Sequence, residues 1–151
     1  MTPRAFQAAC RKEFAFLSQS YGFRERVLPA KGQPDQVVFE KHGWKIAIVG
    51  TAHGTRASIV IYSPQGETGF FSHLVERGFE EQKRPEFGQG QRADISLKAC
   101  CLRTFGTRFL DGEWQDFKVL RKRQMQWIVE SGIMTKAELR RYQRLYGQPK
   151  D

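Results

Sequence analysis

The side chains best suited to nucleophilic, acid–base or metal chemistry are three histidines, His42, His53 and His73, and three cysteines, Cys10, Cys100 and Cys101. A hydrolytic site needs a nucleophile, a base within hydrogen-bond reach and a group that orients the base. The sequence contains neither a GxSxG elbow nor an HExxH pair, and no CxxC or spaced Cys/His pattern of a zinc site, so no catalytic residue, metal ligand or cofactor site is assigned. The most enzyme-like grouping is Thr51, His53, Thr55 and Arg56 at one expected hairpin tip, and its plainer reading is a polar turn. Gly50 to Thr55 and Phe87-Gly88-Gln89-Gly90 lack both the Lys-Ser/Thr of a P-loop and a full GxGxxG run, and read as turns. The adjacent cysteines in SLKACCLRTF cannot readily bridge to each other, and helical spacing puts at least one on an apolar face, where free cysteine is an ordinary small hydrophobe.

Charge carries more information. The 25 Lys+Arg exceed the 16 Asp+Glu, giving +9. Residues 1–65 contribute +5, residues 66–100 contribute −1 and residues 101–151 contribute +5, so two basic ends flank a nearly neutral middle. Arg121, Lys122 and Arg123 are consecutive, and Arg140, Arg141 and Arg144 fall on the outer side of an expected helix, where spacings of three and four bring guanidinium groups together. Such a surface could neutralise phosphates; a solvated helix face is the competing reading. No helix-turn-helix, zinc-finger or RNA-binding aromatic signature accompanies it.

These side chains must be positioned by a fold that the apolar periodicity outlines. Phe6, Cys10, Phe14, Leu17 and Tyr21 recur at three or four residues, which predicts one helix from Pro3 to about Tyr21, with Thr2 as N-cap, Pro3 in the first turn and Gly22 as the stop. Phe16 lies off that stripe, so the helix is expected to be covered on more than one side. Four segments rich in aromatic and β-branched residues follow, Phe23 to Leu28, Gln36 to Lys41, Trp44 to Val49 and Arg56 to Tyr62, separated by PAKGQPD, HG and TAHG. They predict a four-stranded antiparallel meander with one clearly apolar face, His42-Gly43 and His53-Gly54 forming tight turns.

A short helix is expected near Phe71 to Arg77, and EEQKRPEFGQGQRAD reads as an exposed, mobile loop. Asp94 then N-caps a helix carrying Leu97, Cys101, Phe105 and Phe109 as far as Asp111-Gly112. A second helix from about Glu113 presents Phe117, Leu120, Trp127 and Ile128 on one side and closes at Ser131-Gly132. A third begins at the capping box Thr135-Lys136-Ala137-Glu138 and runs through Leu139, Tyr142 and Leu145 to Gly147. Helices segregated from a run of strands indicate an α+β fold in which the C-terminal helical half packs on the sheet. A chain of 151 residues fits one domain, residues 1–151, able to fold without disulfide or metal. No stretch reaches the length of a membrane span and MTPRAFQAACRKEF does not read as a signal peptide, so a cytoplasmic protein with no membrane partner is expected.

Phe14-Ala15-Phe16-Leu17 with Tyr21-Gly22-Phe23, then Val38-Phe39-Glu40 and Trp44-Lys45-Ile46-Ala47-Ile48, resembles small bacterial α+β immunity proteins of polymorphic-toxin and contact-dependent growth inhibition systems. Leu102-Arg103 to Phe109-Leu110-Asp111-Gly112-Glu113-Trp114, followed by Phe117, is similar to the helix, break and helix found in that group. The resemblance implies a protein with no cofactor and no catalytic residues, which binds a cognate toxin domain and blocks its active site. Inhibitors of nuclease toxins are commonly acidic, so a +9 chain calls for an acidic toxin or for a local acidic patch. Glu76, Glu80, Glu81 and Glu86 mark where such a patch would lie. The expected function is therefore non-enzymatic toxin neutralisation. The alternative is a nucleic-acid-associated protein using Arg121, Lys122, Arg123, Arg140, Arg141 and Arg144; neither reading specifies an oligomeric state.

Overall fold

A computed structural model describes residues 1–28 and 35–146. Helix α1 (Pro3–Glu13) starts where expected, the Thr2 hydroxyl accepting the Ala5 N–H at 3.1 Å. It does not continue unbroken to Tyr21: Phe14 leaves helical geometry at φ −101°, ψ 14°, and α2 (Ala15–Tyr21) follows, ending at Gly22 in the left-handed conformation. The break puts Phe14 and Leu17 in the core while the half-buried Phe16 packs beneath the Arg103 guanidinium, 5.1 Å from its ring centre.

Strands β1 (Arg24–Arg26), β2 (Gln36–Lys41), β3 (Trp44–Thr51), β4 (Arg56–Tyr62) and β5 (Thr68–Phe70) form one antiparallel sheet in chain order. The expected meander is present with one strand more. β5 is too short to show an alternating pattern, and it exists because the Ser63–Glu67 turn folds Thr68–Phe70 back along Val60–Tyr62. Gly69 at its centre has no room for a side chain, since a Cβ there would collide with Leu120 and Phe117. Of the PAKGQPD break, residues 29–34 lie outside the described residues. His42 and His53 do adopt positive φ, 51° and 55°, at the two hairpin turns.

One sheet face, with Val37, Phe39, Trp44, Ile46, Ile48, Ala57, Ile59 and Ile61, is buried in the main core with residues of the flanking helices, including Phe6, Leu17, Leu97, Leu102 and Leu120. The other face carries a smaller cluster, Val38, Ala47 and Val60. The chain is α+β, with its N-terminal helices before the sheet and its remaining helices after it.

The segment read as a mobile loop is largely helical. A 3-10 turn (Phe71–Leu74) leads to α3 (Phe79–Phe87), which contains Pro85, and Gly88 to Gly90 join it to α4 (Gln91–Phe105). Asp94 is therefore not an N-cap. It lies in the first turn of α4, 1 % exposed, where Oδ2 accepts the Ala57 N–H of β4 at 2.7 Å. Its Oδ1 faces Arg84 of α3 at 3.2 Å and Lys98 at 3.5 Å, and Glu80 closes the network, 2.8 Å from Lys98 and 3.6 Å from Arg84. No residue of α3 is fully buried, and the helix is held by this network together with the half-buried Phe79 and Phe87, Phe79 meeting Phe105 edge-on at 4.9 Å.

The helix beginning near Asp94 does not reach Asp111 either. α4 stops at Gly106, a short helix α5 (Thr107–Leu110) follows, and α6 (Asp116–Glu130) and α7 (Lys136–Tyr146) complete the chain. Trp44 stacks on Trp114 at 5.0 Å and meets Phe109 and Phe117 edge-on at 5.3 and 5.1 Å, which anchors the α5–α6 turn against the start of β3. The Thr135 hydroxyl accepts the Glu138 N–H, as the capping box predicts. The side chains of Tyr142 and Leu145, and the Gly147 stop, lie outside the described residues.

Asp94→Ala leaves the Ala57 N–H without its acceptor and two cations facing a single carboxylate. It should lower unfolding stability by about 3 kcal/mol, while Asp94→Asn, which can still accept that N–H, should lose about half as much. Urea denaturation measures both; a loss within experimental error for Asp94→Ala would show that the network does not hold α3 and α4 to the sheet.

Candidate functional site

The histidines do not converge. His42 and His53 stand at opposite ends of β3, whose eight residues span roughly 25 Å. In the Thr51 to Arg56 group the Thr55 hydroxyl donates to the Ala52 carbonyl at 2.6 Å and the Thr55 N–H bonds the same oxygen at 3.2 Å, so the turn is closed on itself. The Gly50 N–H is taken by the Asp35 carbonyl at 2.8 Å. At the second glycine stretch the Gly88 N–H caps α3. His73 sits 5.8 Å from the Trp127 ring, and burial lowers its pKa, which favours the neutral imidazole. Among the described residues no group of three or more His, Cys, Asp or Glu is placed to hold a metal.

Cys10 and Cys101 are buried and Cys100 is half-buried. Desolvation pushes the Cys10 and Cys101 thiols up to about 12, the nearby Glu80 adding to the rise at Cys101. Thiols with raised pKa stay protonated at neutral pH and are poor nucleophiles.

The acidic and basic candidates divide on inspection. Glu80 is committed to Lys98 and Arg84, and Glu86 lies 3.6 Å from Lys83, so the acidic patch is largely neutralised by its own helix; Glu76 and Glu81 are exposed. Of the basic run, Lys122 and Arg123 are exposed, as are Arg140, Arg141 and Arg144 on α7. Arg121 is not at the surface: it is 5 % exposed and its Nη1 bonds Glu67 Oε2 at 3.1 Å. Consecutive residues on a helix point about 100° apart, so a basic triplet cannot share one face. Arg123 turns the other way and donates to the His73 carbonyl at 3.2 Å.

What the spacing did not reveal is a cleft of about 400 Å³ between the β4–β5 turn, β5, α6 and α7. Its apolar lining comes from Phe70, Met125, Ile128, Met134 and Leu139, and its polar groups are Glu67, Arg121 and Gln124. Gln124 Oε1 accepts the Phe70 N–H at 2.8 Å, so α6 seals the outer edge of β5 with a side chain. Arg121 Nε is buried there with no hydrogen-bond partner among the described residues. Six large hydrophobic residues stand exposed among the described residues, and four of them, Phe70, Val119, Trp127 and Ile133, belong to β5, α6 and the α6–α7 turn. Trp127, placed in the core by its helical spacing, is 52 % exposed, because it lies toward the edge of the α6 buried stripe over the 3-10 turn.

The chain matches no protein-family model, no curated protein and no solved structure. Among the described residues no helix is long and apolar enough to cross a membrane.

The burial pattern predicts that iodoacetamide labels Cys100 alone in the folded protein at neutral pH and all three cysteines in denaturant, read by intact mass. Labelling of Cys10 or Cys101 at the rate of Cys100 would contradict the packing of α1 and α4.

Proposed function

We propose that this chain is a non-enzymatic cytoplasmic binding protein that neutralises a cognate toxin domain by covering its active site. The observation that carries a binding role is the apolar cleft between β5, α6 and α7, whose lining includes the exposed Phe70 and, at Met134, adjoins the exposed Ile133. An accessible apolar recess edged by polar groups is the usual composition of a protein interface. The toxin assignment is supported by the resemblance of the N-terminal helix, the β2–β3 hairpin and the α5–α6 turn to immunity proteins. Inhibition by occlusion asks nothing of the chain but a complementary surface, which suits a chain whose histidines and buried thiols form no common site.

The exposed cations Arg123, Arg140, Arg141 and Arg144 support a second reading, association with nucleic acid. It predicts an affinity that falls steeply with salt and depends little on base sequence.

Co-expression with the toxin domain encoded beside this chain should give a stable complex on size-exclusion chromatography and should protect cells that die when the toxin is expressed alone. Absence of an adjacent toxin, or death of cells expressing both, would end the neutralisation reading. Oligonucleotide binding at low salt without protection would favour the second.

A further inference from the structure

The geometry points to the cleft between β5, α6 and α7 as the docking site for the partner protein, and to a partner that enters it with an apolar side chain set in an acidic surface. This rests on the neutralisation reading above and adds to it where the contact falls and what chemistry it requires.

The cleft measures about 400 Å³, inside the range of about 300–1,000 Å³ for pockets that bury a substantial guest. Its polar groups are largely engaged by the protein itself, Arg121 Nη1 with Glu67 and Gln124 with the Phe70 N–H, leaving Arg121 Nε as the buried donor without a partner among the described residues. The buried guanidinium is thus offset by a carboxylate 3.1 Å away, and what the recess offers a visitor is its apolar wall of Phe70, Met125, Ile128, Met134 and Leu139. Two of those residues are methionines, whose flexible thioethers adapt to the shape of an inserted side chain. Among the described residues Phe70 is the single ring in the lining, 44 % exposed, whereas successive nucleobases would need a series of flat platforms.

The rim sets the charge of the partner. On α6, Lys118 stands three residues before Arg121, which puts it along the cleft side of the helix. On α7, Lys136 precedes Leu139 by the same interval and Arg140 follows it directly, whereas Arg141 turns to the far side. The carboxylates on these two helices are Asp116, which lies 3.7 Å from Arg108, Glu130 and Glu138. A rim so dominated by exposed cations is complementary to an acidic surface and repels a basic one, which costs several kcal/mol for like charges brought together. An apolar anchor in a desolvated recess, ringed by complementary charge, is the arrangement in which a few residues supply most of the binding energy.

The test uses the full chain, with the toxin domain encoded beside it as the probe and calorimetry at low and high salt as the readout. Met134→Arg, which places a cation at the mouth from a half-buried position, should weaken binding about a hundredfold, the loss expected of a blocked anchor site. Lys136→Glu with Arg140→Glu should weaken it about tenfold and flatten its salt dependence. Arg24→Glu, on the opposite edge of the sheet, should leave it unchanged. Far-UV circular dichroism checks each fold, and hydrogen-exchange protection of residues 66–70 and 124–139 by the toxin provides the same answer without substitution. If the toxin binds wild-type and Met134→Arg equally, and protection falls elsewhere, the cleft is not the site while neutralisation stands. If the wild-type chain does not bind the toxin, both ideas are overturned together. Binding of a single-stranded oligonucleotide that Met134→Arg abolishes, with no binding of the toxin, would replace the acidic protein by nucleic acid.

Discussion

Asp94 is the point through which the second half of the chain is tied to the sheet. A carboxylate 1 % exposed is costly to desolvate, and the cost is tolerable only because each side of it finds a donor: the Ala57 N–H at 2.7 Å, Arg84 at 3.2 Å and Lys98 at 3.5 Å. Those donors come from β4, α3 and α4, so one side chain sets the position of three elements at once. Glu80 balances the second cation and makes the group a closed set of two acids and two bases. A shift of α4 along β4 would take the Ala57 N–H from its acceptor, and a shift of α4 against α3 would part Asp94 from Arg84 and Lys98 from Glu80, so a buried charge can specify a packing register that apolar contacts alone would leave looser.

The same logic runs along the outer edges of the sheet. β5 pairs only Val60–Tyr62, leaving the beginning of β4 without a neighbouring strand on that side. Asp94 takes the Ala57 N–H there, and Gln91 donates to the Arg56 carbonyl at 3.0 Å. Gln124 does the equivalent for β5 by accepting from Phe70. Polar helix side chains thus replace a sixth strand, and an edge that would otherwise pair with other chains is closed. The closure has a geometric by-product. With Gly69 allowing Leu120 and Phe117 to press against β5, α6 sits close to the strand at one end, and the cleft lies where α7 departs from it.

How much of this the sequence disclosed follows from the range of each interaction. The Thr2 cap, the His42 and His53 turns, the β2–β4 meander and the Thr135 capping box were legible because their signals lie within a few residues of one another. α3 was not: rich in charge, containing Pro85 and lacking an apolar stripe, it reads as a loop, and it is helical because Arg84 and Glu80 meet Asp94 and Lys98 from a neighbouring helix. Asp94 has the residue type of an N-cap, and only the position of Ala57, far away in sequence, reveals its other use. Arg121 misled for the opposite reason, since a run of three cations suggests one surface although helical geometry must separate them. Its partner Glu67 lies in the turn just before β5, a strand that no pattern marked. The candidate surface was correspondingly hidden, being assembled from a three-residue strand, two helices and a turn.

The net charge of +9 acquires a direction from these placements. At the N-terminal side of the sheet part of the charge is matched, Arg11 lying 2.7 Å from Glu25 and Arg26 3.8 Å from Glu40, while Arg4, Lys12, Arg24 and Arg56 are also exposed. Around α3 the acids and bases answer one another. On α6 and α7, Lys118, Lys136, Arg140, Arg141 and Arg144 are exposed, and Glu130 and Glu138 are the exposed carboxylates of the same two helices. A field gathered at one end steers an oppositely charged partner before contact, and it does so toward the end that also exposes Phe70, Trp127 and Ile133. Attraction at long range and apolar burial at short range therefore act on the same surface, to which the +5 of residues 101–151 contributes.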